Sequence, residues 1–435
     1  MKKLLFFWNE LKATFWFTPV LIIIFSVLLA IGFVYIDQTI AFSHEGLGRF
    51  FFVKSVDSAR TILSTISGAM IGVAGTVFSV TLVALTLASS QFGSRLIKNF
   101  MYVKLNQIVL GSYVSTYLYC LIVLNSIQGN NGFTFIPSLA IFMAIIAAIA
   151  NIILLIVFIH QIAISIQAEK VISDISVFIS KQVRVLFPEK MGDEPDTEIS
   201  LPVATIKSEY ANIVSVKSPK NGYLQYIDSE SLLNVITSCN ALFEIYYRPG
   251  DYLVEDIEIG KLYTNEELEK DKLEKINFQF LIGKTKTVQQ DLEFSIHQMV
   301  EIAARALSPG INDPFTAIAC IDSLTAIMCY LAQAKFPSKY RVDDKKELRV
   351  ITNTLDFEGV LDAAFNQIRQ FSAGNTAVII RLMEALLITH EFATKKSRKK
   401  AVIKHVKMTL HVGKESIKEE NDIKDLVKRL EKIRI

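Results

Sequence analysis

Asp291, His297, Glu301, Asn312 and Asp313 place titratable or polar side chains close together in the second half of the chain. His297 and Glu301 are one helical turn apart, a spacing at which two side chains meet on a helix surface. General acid–base chemistry uses pairs of that kind. The same residues have a plainer reading. Asp313 before Pro314 is a helix start, and Pro309-Gly310 is a helix stop. On that reading the group builds a turn and helix pairing at a domain or subunit interface. The expectation is a ligand or interface motif, its ligand unknown, with no catalytic residue. No metal is expected, because a zinc site needs a third ligand and a spacing such as HExxH. Gly283-Lys284-Thr285 mimics the tail of a phosphate-binding loop, but that loop needs a glycine where this chain has Phe278. No cofactor is expected. Cys120, Cys239, Cys320 and Cys329 form no CxxC pair and are expected as reduced, mostly buried thiols.

A second constellation is notable for its small size. Ser64, Gly68, Gly72, Gly75, Ser79, Thr86 and Ser90 fall within about 80° of one another on a helical wheel. Such a stripe permits close helix packing, and Gly68 and Gly72 have the small-xxx-small spacing. It also suits the wall of a water-filled pore in an oligomer. The two uses coincide if the stripe faces a symmetry axis. Arg95, Lys98 and Lys104 follow it and would form a basic inner mouth that concentrates anions.

The elements that must position these groups follow from apolar patterning. Apolar residues are 51% of the chain and charged residues 20%, and the two kinds are segregated. Four runs, 15–36, 62–88, 107–127 and 135–163, each supply the roughly 20 apolar residues that a membrane crossing needs. None contains Asp, Glu, Lys or Arg, which argues against a coupled transporter or proton pump. Lys2, Lys3 and Lys12 precede the first run, Arg95, Lys98 and Lys104 lie between the second and third, and Lys170, Lys181 and Arg184 follow the fourth. Basic residues collect on the inner side, so both termini are expected in the cytoplasm.

Beyond the spans the composition is that of a soluble protein. Short β-rich runs at 214–216, 222–227 and 242–247 are punctuated by Asn221-Gly222 and Pro249-Gly250. Amphipathic helical patterns follow from about 288 onward. The fold class expected is an α-helical membrane protein with four transmembrane helices, followed by a cytoplasmic α+β portion. Its parts are a four-helix transmembrane domain over 1–165, a linker helix and acidic linker over 166–202, a small β-barrel-like domain over 203–285, and a helical domain over 286–435. From 393 to 435 there are 14 Lys or Arg against 6 Asp or Glu. This basic tail reads as a solvated helix, with contact to anionic lipid as the alternative. Nucleic acid is not an expected partner, since no aromatic platform accompanies the charge.

Two stretches carry a family resemblance. One is FSVTLVALTLASSQF from Phe78 to Phe92, and the other is ALSPGINDPFTA from Ala306 to Ala317, with Gln290-Asp291 upstream. They resemble a widespread bacterial family of predicted membrane proteins catalogued only as a domain of unknown function. The likeness covers nearly the whole chain. It departs from the family pattern at Thr86, where Gln is expected, and at Ser94-Arg95, where Pro-Arg is expected. The resemblance implies a four-pass inner-membrane protein with a large cytoplasmic domain, and it supplies no activity or substrate.

The functional expectation is a homo-oligomeric inner-membrane protein, a passive ion or small-solute channel with a cytoplasmic vestibule, in contact with membrane lipid and not an enzyme. The alternatives are a non-conducting sensor or scaffold, and a membrane-tethered enzyme using the Asp291–Asp313 region.

Overall fold

The computed structural model describes residues 14–39, 53, 55–93, 104–130, 133–186, 202–267 and 270–431. The chain divides into two compact units, Met1–Lys170 and Val171–Ile435.

The first unit is helical. Helices α1 (Phe17–Thr39), α2 (Val56–Phe92), α3 (Lys104–Ser126) and α4 (Ser138–Ser165) cover most of the four apolar runs. A two-stranded antiparallel hairpin, β1 (Gln128–Asn130) and β2 (Phe133–Phe135), joins α3 to α4. α2 has 37 residues, about 55 Å at the α-helical rise, well beyond the hydrocarbon thickness of about 30 Å. α3 is the central helix and packs against each of the other three. Half of its most apolar stretch is buried, against 11–22% for α1, α2 and α4. Its lower apolarity fits that place: it carries Tyr113, Ser115, Thr116 and Tyr119, all buried.

The second unit is mixed α/β. It opens with α5 (Ala168–Leu186), whose apolar residues Val171, Ile172, Ile175, Ile179 and Val183 recur at helical spacing and are buried together. Most of the acidic linker lies outside the described residues. Next come α6 (Val203–Ser208), β3 (Asn212–Lys217), β4 (Gly222–Ile227), α7 (Ser229–Ser238), β5 (Leu242–Ile245), β6 (Tyr252–Leu253), β7 (Glu258–Thr264), α8 (Lys270–Asn277) and β8 (Phe280–Gly283). α7 is capped by Asp228, which accepts from the backbone N–H of Ser231 at 3.4 Å. The remainder comprises α9 (Leu292–Ala306), α10 (Pro314–Gln333), β9 (Tyr340–Val342), β10 (Leu348–Ile351), α11 (Phe357–Phe371), α12 (Thr376–Phe392), α13 (Lys396–Ser416) and α14 (Glu420–Leu430).

The strands form two sheets in place of the barrel-like closure expected. One has the order β3-β7-β5-β10-β9 and the other β6-β4-β8. Both contribute to one core, with Val216, Phe243, Leu262 and Val350 from the first and Leu224, Leu253 and Ile282 from the second. β10 comes from the stretch read as purely helical, and it pairs in parallel with β5 through Val350–Phe243 and Ile351–Glu244. A parallel partner 107 residues away leaves no local trace in the sequence.

Among the described residues five helices are long and apolar enough to cross a membrane, α1 to α4 and α10. The four cysteines are free and buried. The basic tail is partly internal. Arg398 is buried and donates to the carbonyls of Ala332 and Ala334, each at 2.8 Å. His405 is buried against Asp362 at 2.8 Å.

Candidate functional site

Asp291 stands at the N-terminus of α9. Its Oδ1 accepts from the backbone N–H of Phe294 at 2.8 Å, which caps the helix. The Gln182 side-chain amide on α5 donates to the carbonyls of Val288 and Asp291. Gln290 pairs its amide with both backbone groups of Ile227, accepting at 3.0 Å and donating at 3.2 Å. These bonds fix the helix start against β4 and α5. Asp291 itself is 4% exposed, and its Oδ2 has no hydrogen-bond partner. Lys286 Nζ stands 4.0 Å from that oxygen. Gly250 closes over it: its φ is +104°, and a Cβ there would lie 2.2 Å from Oδ2. Only glycine meets both demands. Burial pushes the Asp291 carboxyl up to about 6, against the pull of the Phe294 N–H and Lys286.

A cleft of about 160 Å³ opens beside this group. Arg248, Glu293, Arg341 and Asn353 border it together with Asp291. Arg248 and Glu293 form an ion pair at 2.6 Å. Arg341 is 3% exposed and donates to the carbonyls of Ser338 and Tyr340. Charges of both signs border a wall that is otherwise largely apolar, so the cleft offers a small ligand a few polar partners in an apolar surround.

Asn312 and Asp313 lie at the other end of α9. Asn312 has φ +50°, and its N–H donates to the Ser308 carbonyl at 2.9 Å. Asp313 caps α10, accepting from the N–H groups of Phe315 and Thr316 at 3.1 Å and from the Thr316 hydroxyl at 2.5 Å. The Thr316 hydroxyl bond holds its carboxyl below the usual range. α9 has 15 residues, so roughly 22 Å of helix separates Asp291 from the turn. His297 and Glu301 fall between them, and Glu301 lies 3.8 Å from Arg305. The five residues therefore do not converge on one point. Among the described residues no group of three His, Cys, Asp or Glu could hold a metal.

In the first unit the stripe on α2 faces away from the chain. Ser64, Gly68, Gly72, Gly75, Ser79, Thr86 and Ser90 are all exposed, and a Cβ on any of the three glycines would meet nothing within 4 Å. The buried residues of α2, among them Leu63, Met70, Ala74 and Val77, lie on roughly the opposite face. Close packing inside one chain is thus not what the stripe does. Its hydroxyls return to their own helix, as with Ser79 to the Gly75 carbonyl at 2.9 Å and Thr86 to the Leu82 carbonyl at 2.9 Å. Lys104 begins α3 and is exposed, while Arg95 and Lys98 lie outside the described residues.

Close approach within the chain occurs instead at Gly111 on α3, where a Cβ would lie 2.9 Å from the Pro19 Cα of α1. Sequence reasoning passed over this glycine, and over Asn151 on α4. Asn151 is fully buried, accepts from Ser112 at 2.6 Å and donates to Thr116 at 2.8 Å. The signal available was a single Asn midway along an apolar run whose other polar residues, Ser138, His160 and Gln161, lie near its ends. Asp37, in the last turn of α1, accepts from the N–H groups of Leu139 and Ala140 at 3.1 and 2.9 Å and so caps α4 from across the bundle.

A family model described as "Predicted membrane protein (DUF2254)" matches residues 12–387. Uncharacterized proteins of Mycobacterium bovis and Mycobacterium tuberculosis are each 29% identical over 381 residues, which is 86% of this chain and 72% of theirs. No solved structure matches the chain.

Proposed function

The chain belongs to the DUF2254 family of predicted membrane proteins, and from that premise we propose that it is a homo-oligomeric inner-membrane protein forming a passive channel for ions or small solutes around its α2 helices. One observation carries this reading. The small-residue face of a helix apolar enough to span the membrane points away from its own chain, with open space at Gly68, Gly72 and Gly75. Small residues let two backbones approach closely, and outward-facing ones let the backbones of different copies do so. Hydroxyls that bond to their own helix still offer lone pairs to a passing solute.

We read four crossings, α1 to α4. α10 has the composition of a span, but 56% of its apolar stretch is buried within the second unit. What favours a place in the second unit for α10 is Asp322, exposed on its surface and ion-paired with Arg381 of α12. The basic flanks support a cytoplasmic position for both termini. The spread of Asp291, His297, Glu301 and Asp313 along α9 supports a non-catalytic role for them.

The test is the oligomeric state of the purified protein, followed by current recording in planar bilayers with Gly72→Leu alongside. The reading expects an oligomer with unitary currents that Gly72→Leu abolishes. A monomer, or a folded oligomer that stays silent across voltage, tension and salt, would refute it. The cleft beside Asp291 favours a second reading, a membrane-anchored sensor whose second unit binds a small polar ligand. Silence from a folded protein together with ligand-dependent stabilisation that Asp291→Asn removes is the outcome that reading expects.

A further inference from the structure

Helix α13 separates its charges from its packing. It carries Lys396, Lys399, Lys400, Lys404, Lys407 and Lys414 against a single carboxylate, Glu415. Ala401, Val402, Val406 and Gly413 are buried, together with Arg398, His405 and Thr409, and the helix packs against α11, α12 and α14. On a helical wheel Lys396, Lys400, Lys404, Lys407, His411 and Lys414 fall within about 80° of one another. All six are exposed. They form one row about 27 Å long.

Two members of the row have acidic neighbours. Lys404 pairs with Glu358 of α11 at 2.8 Å, and His411 lies 3.3 Å from Glu415. Among the described residues no carboxylate pairs with Lys396, Lys400, Lys407 or Lys414. Lys396, Lys400 and Lys404 follow one another at i,i+4, a spacing at which like charges destabilise a helix. Negative charge brought from outside relieves that repulsion. The helix contains no aromatic residue, so the row lacks the rings on which bases stack. Its lysines are compact point charges without the planar fork that arginine offers to a single phosphate.

We propose that this row is a docking surface for anionic lipid headgroups. The chain passes from α4, apolar enough to span a membrane, into α5 through Ile166 and Gln167 alone, so the second unit is covalently tethered to a bilayer. A straight row of point charges fits a flat array of phosphates, and the tether raises its effective concentration there. The proposal rests on the membrane location of the family and not on conduction.

The test uses the full-length chain in lipid nanodiscs, with a fluorophore attached at His411→Cys. The four native cysteines are buried, so a maleimide dye goes to the introduced thiol. A second protein carries the dye at Glu255→Cys, in the exposed turn between β6 and β7. The discs are phosphatidylcholine alone or with about a third phosphatidylglycerol, and the neutral quencher acrylamide reports access from water. Each lysine near an anionic surface is worth about five-fold in occupancy. The quenching constant at His411→Cys is expected to fall about three-fold in the anionic discs. It should recover at about 1 M salt, where the Debye length is about 3 Å. It should not fall when Lys396→Glu, Lys400→Glu, Lys407→Glu and Lys414→Glu are combined. The dye at Glu255→Cys should not respond. Equal quenching in the two kinds of disc, protection that survives high salt or the four substitutions, or equal protection of both dyes would each overturn the assignment. Protection by added duplex DNA but not by phosphatidylglycerol would give the row to nucleic acid instead. The lipid and salt comparisons keep all four lysines, so they decide the matter if the four-fold variant does not fold.

Discussion

Ser112 on α3 donates its hydroxyl to Asn151 Oδ1 on α4 at 2.6 Å, and the same amide donates onward to Thr116 at 2.8 Å. An amide buried among apolar helices is retained when neighbouring hydroxyls satisfy it. Replacing Asn151 with Leu leaves Ser112 and Thr116 without that partner. The expected loss is about 1 kcal/mol, read as a lower midpoint when the helicity of detergent-solubilised protein is followed through titration with sodium dodecyl sulfate. Ser112→Ala should lower it less, because the Thr116 bond remains.

Asp291 gives the second unit a pH dependence of unusual sign for a carboxylate. Its folded value of about 6 lies above the ordinary aspartate value of 3.8, so the folded state binds this proton more tightly than the unfolded state does. The stabilisation is fully present below about pH 4 and is lost as the pH rises through about 6, amounting to about 3 kcal/mol. Asp291→Asn keeps the cap and cannot ionise. Its stability should therefore gain on that of the wild type between about pH 4 and pH 7. Circular dichroism is the readout, because both tryptophans, Trp8 and Trp16, lie outside this unit.

Arg398 closes the C-terminus of α10. It donates to the carbonyls of Leu331, Ala332 and Ala334, and its guanidinium lies 5.1 Å from the ring centre of Phe336 and 5.6 Å from that of Phe357. A lysine carries the charge but not the planar fork. Arg398→Lys is expected to cost about 2 kcal/mol, seen as a lower thermal midpoint by circular dichroism. An unchanged midpoint would show that the charge alone is sufficient.

Asp343 and Arg349 form a buried ion pair at 2.7 Å on the β9–β10 hairpin, each side chain 5% exposed. Arg349 also donates to Asn240 at 2.8 Å, which ties the hairpin to the end of α7. Asp343→Ala leaves the guanidinium buried beside fewer acceptors and should cost about 3 kcal/mol. The double variant Asp343→Ala, Arg349→Met should recover part of that loss. The comparison separates the cost of an orphaned charge from the worth of the pair.

Asp313→Ala tests whether the α9–α10 turn is structural. Loss of a cap bonded to two N–H groups and one hydroxyl should cost about 1–2 kcal/mol, measured by the same melts, with the oligomeric state unchanged. A change of assembly without loss of stability would instead identify the turn as a subunit contact.

The sequence by itself determined what depends on neighbours along the chain. The apolar runs became α1 to α4 because hydropathy summed over some twenty residues is a local quantity. Asp313 before Pro314 became a helix start because capping involves residues only two or three apart. Tertiary structure alone decided how faces and distant segments are used. The wheel placed Gly68 and Gly72 on one stripe, but only the packing of α3 and α4 against the other side of α2 showed that the stripe points outward. α10 and α4 both have span-like composition, and only the fold shows how differently they are covered, 56% of the apolar stretch being buried in α10 and 22% in α4. Asp291 and Asp313 fall in one region of the sequence, yet α9 holds them at opposite ends, because a helix converts sequence separation into length. Gln182, Gly250 and Phe294 meet Asp291 from three separate segments. The raised affinity of Asp291 for its proton arises from that enclosure, and burial is a property of the assembled fold.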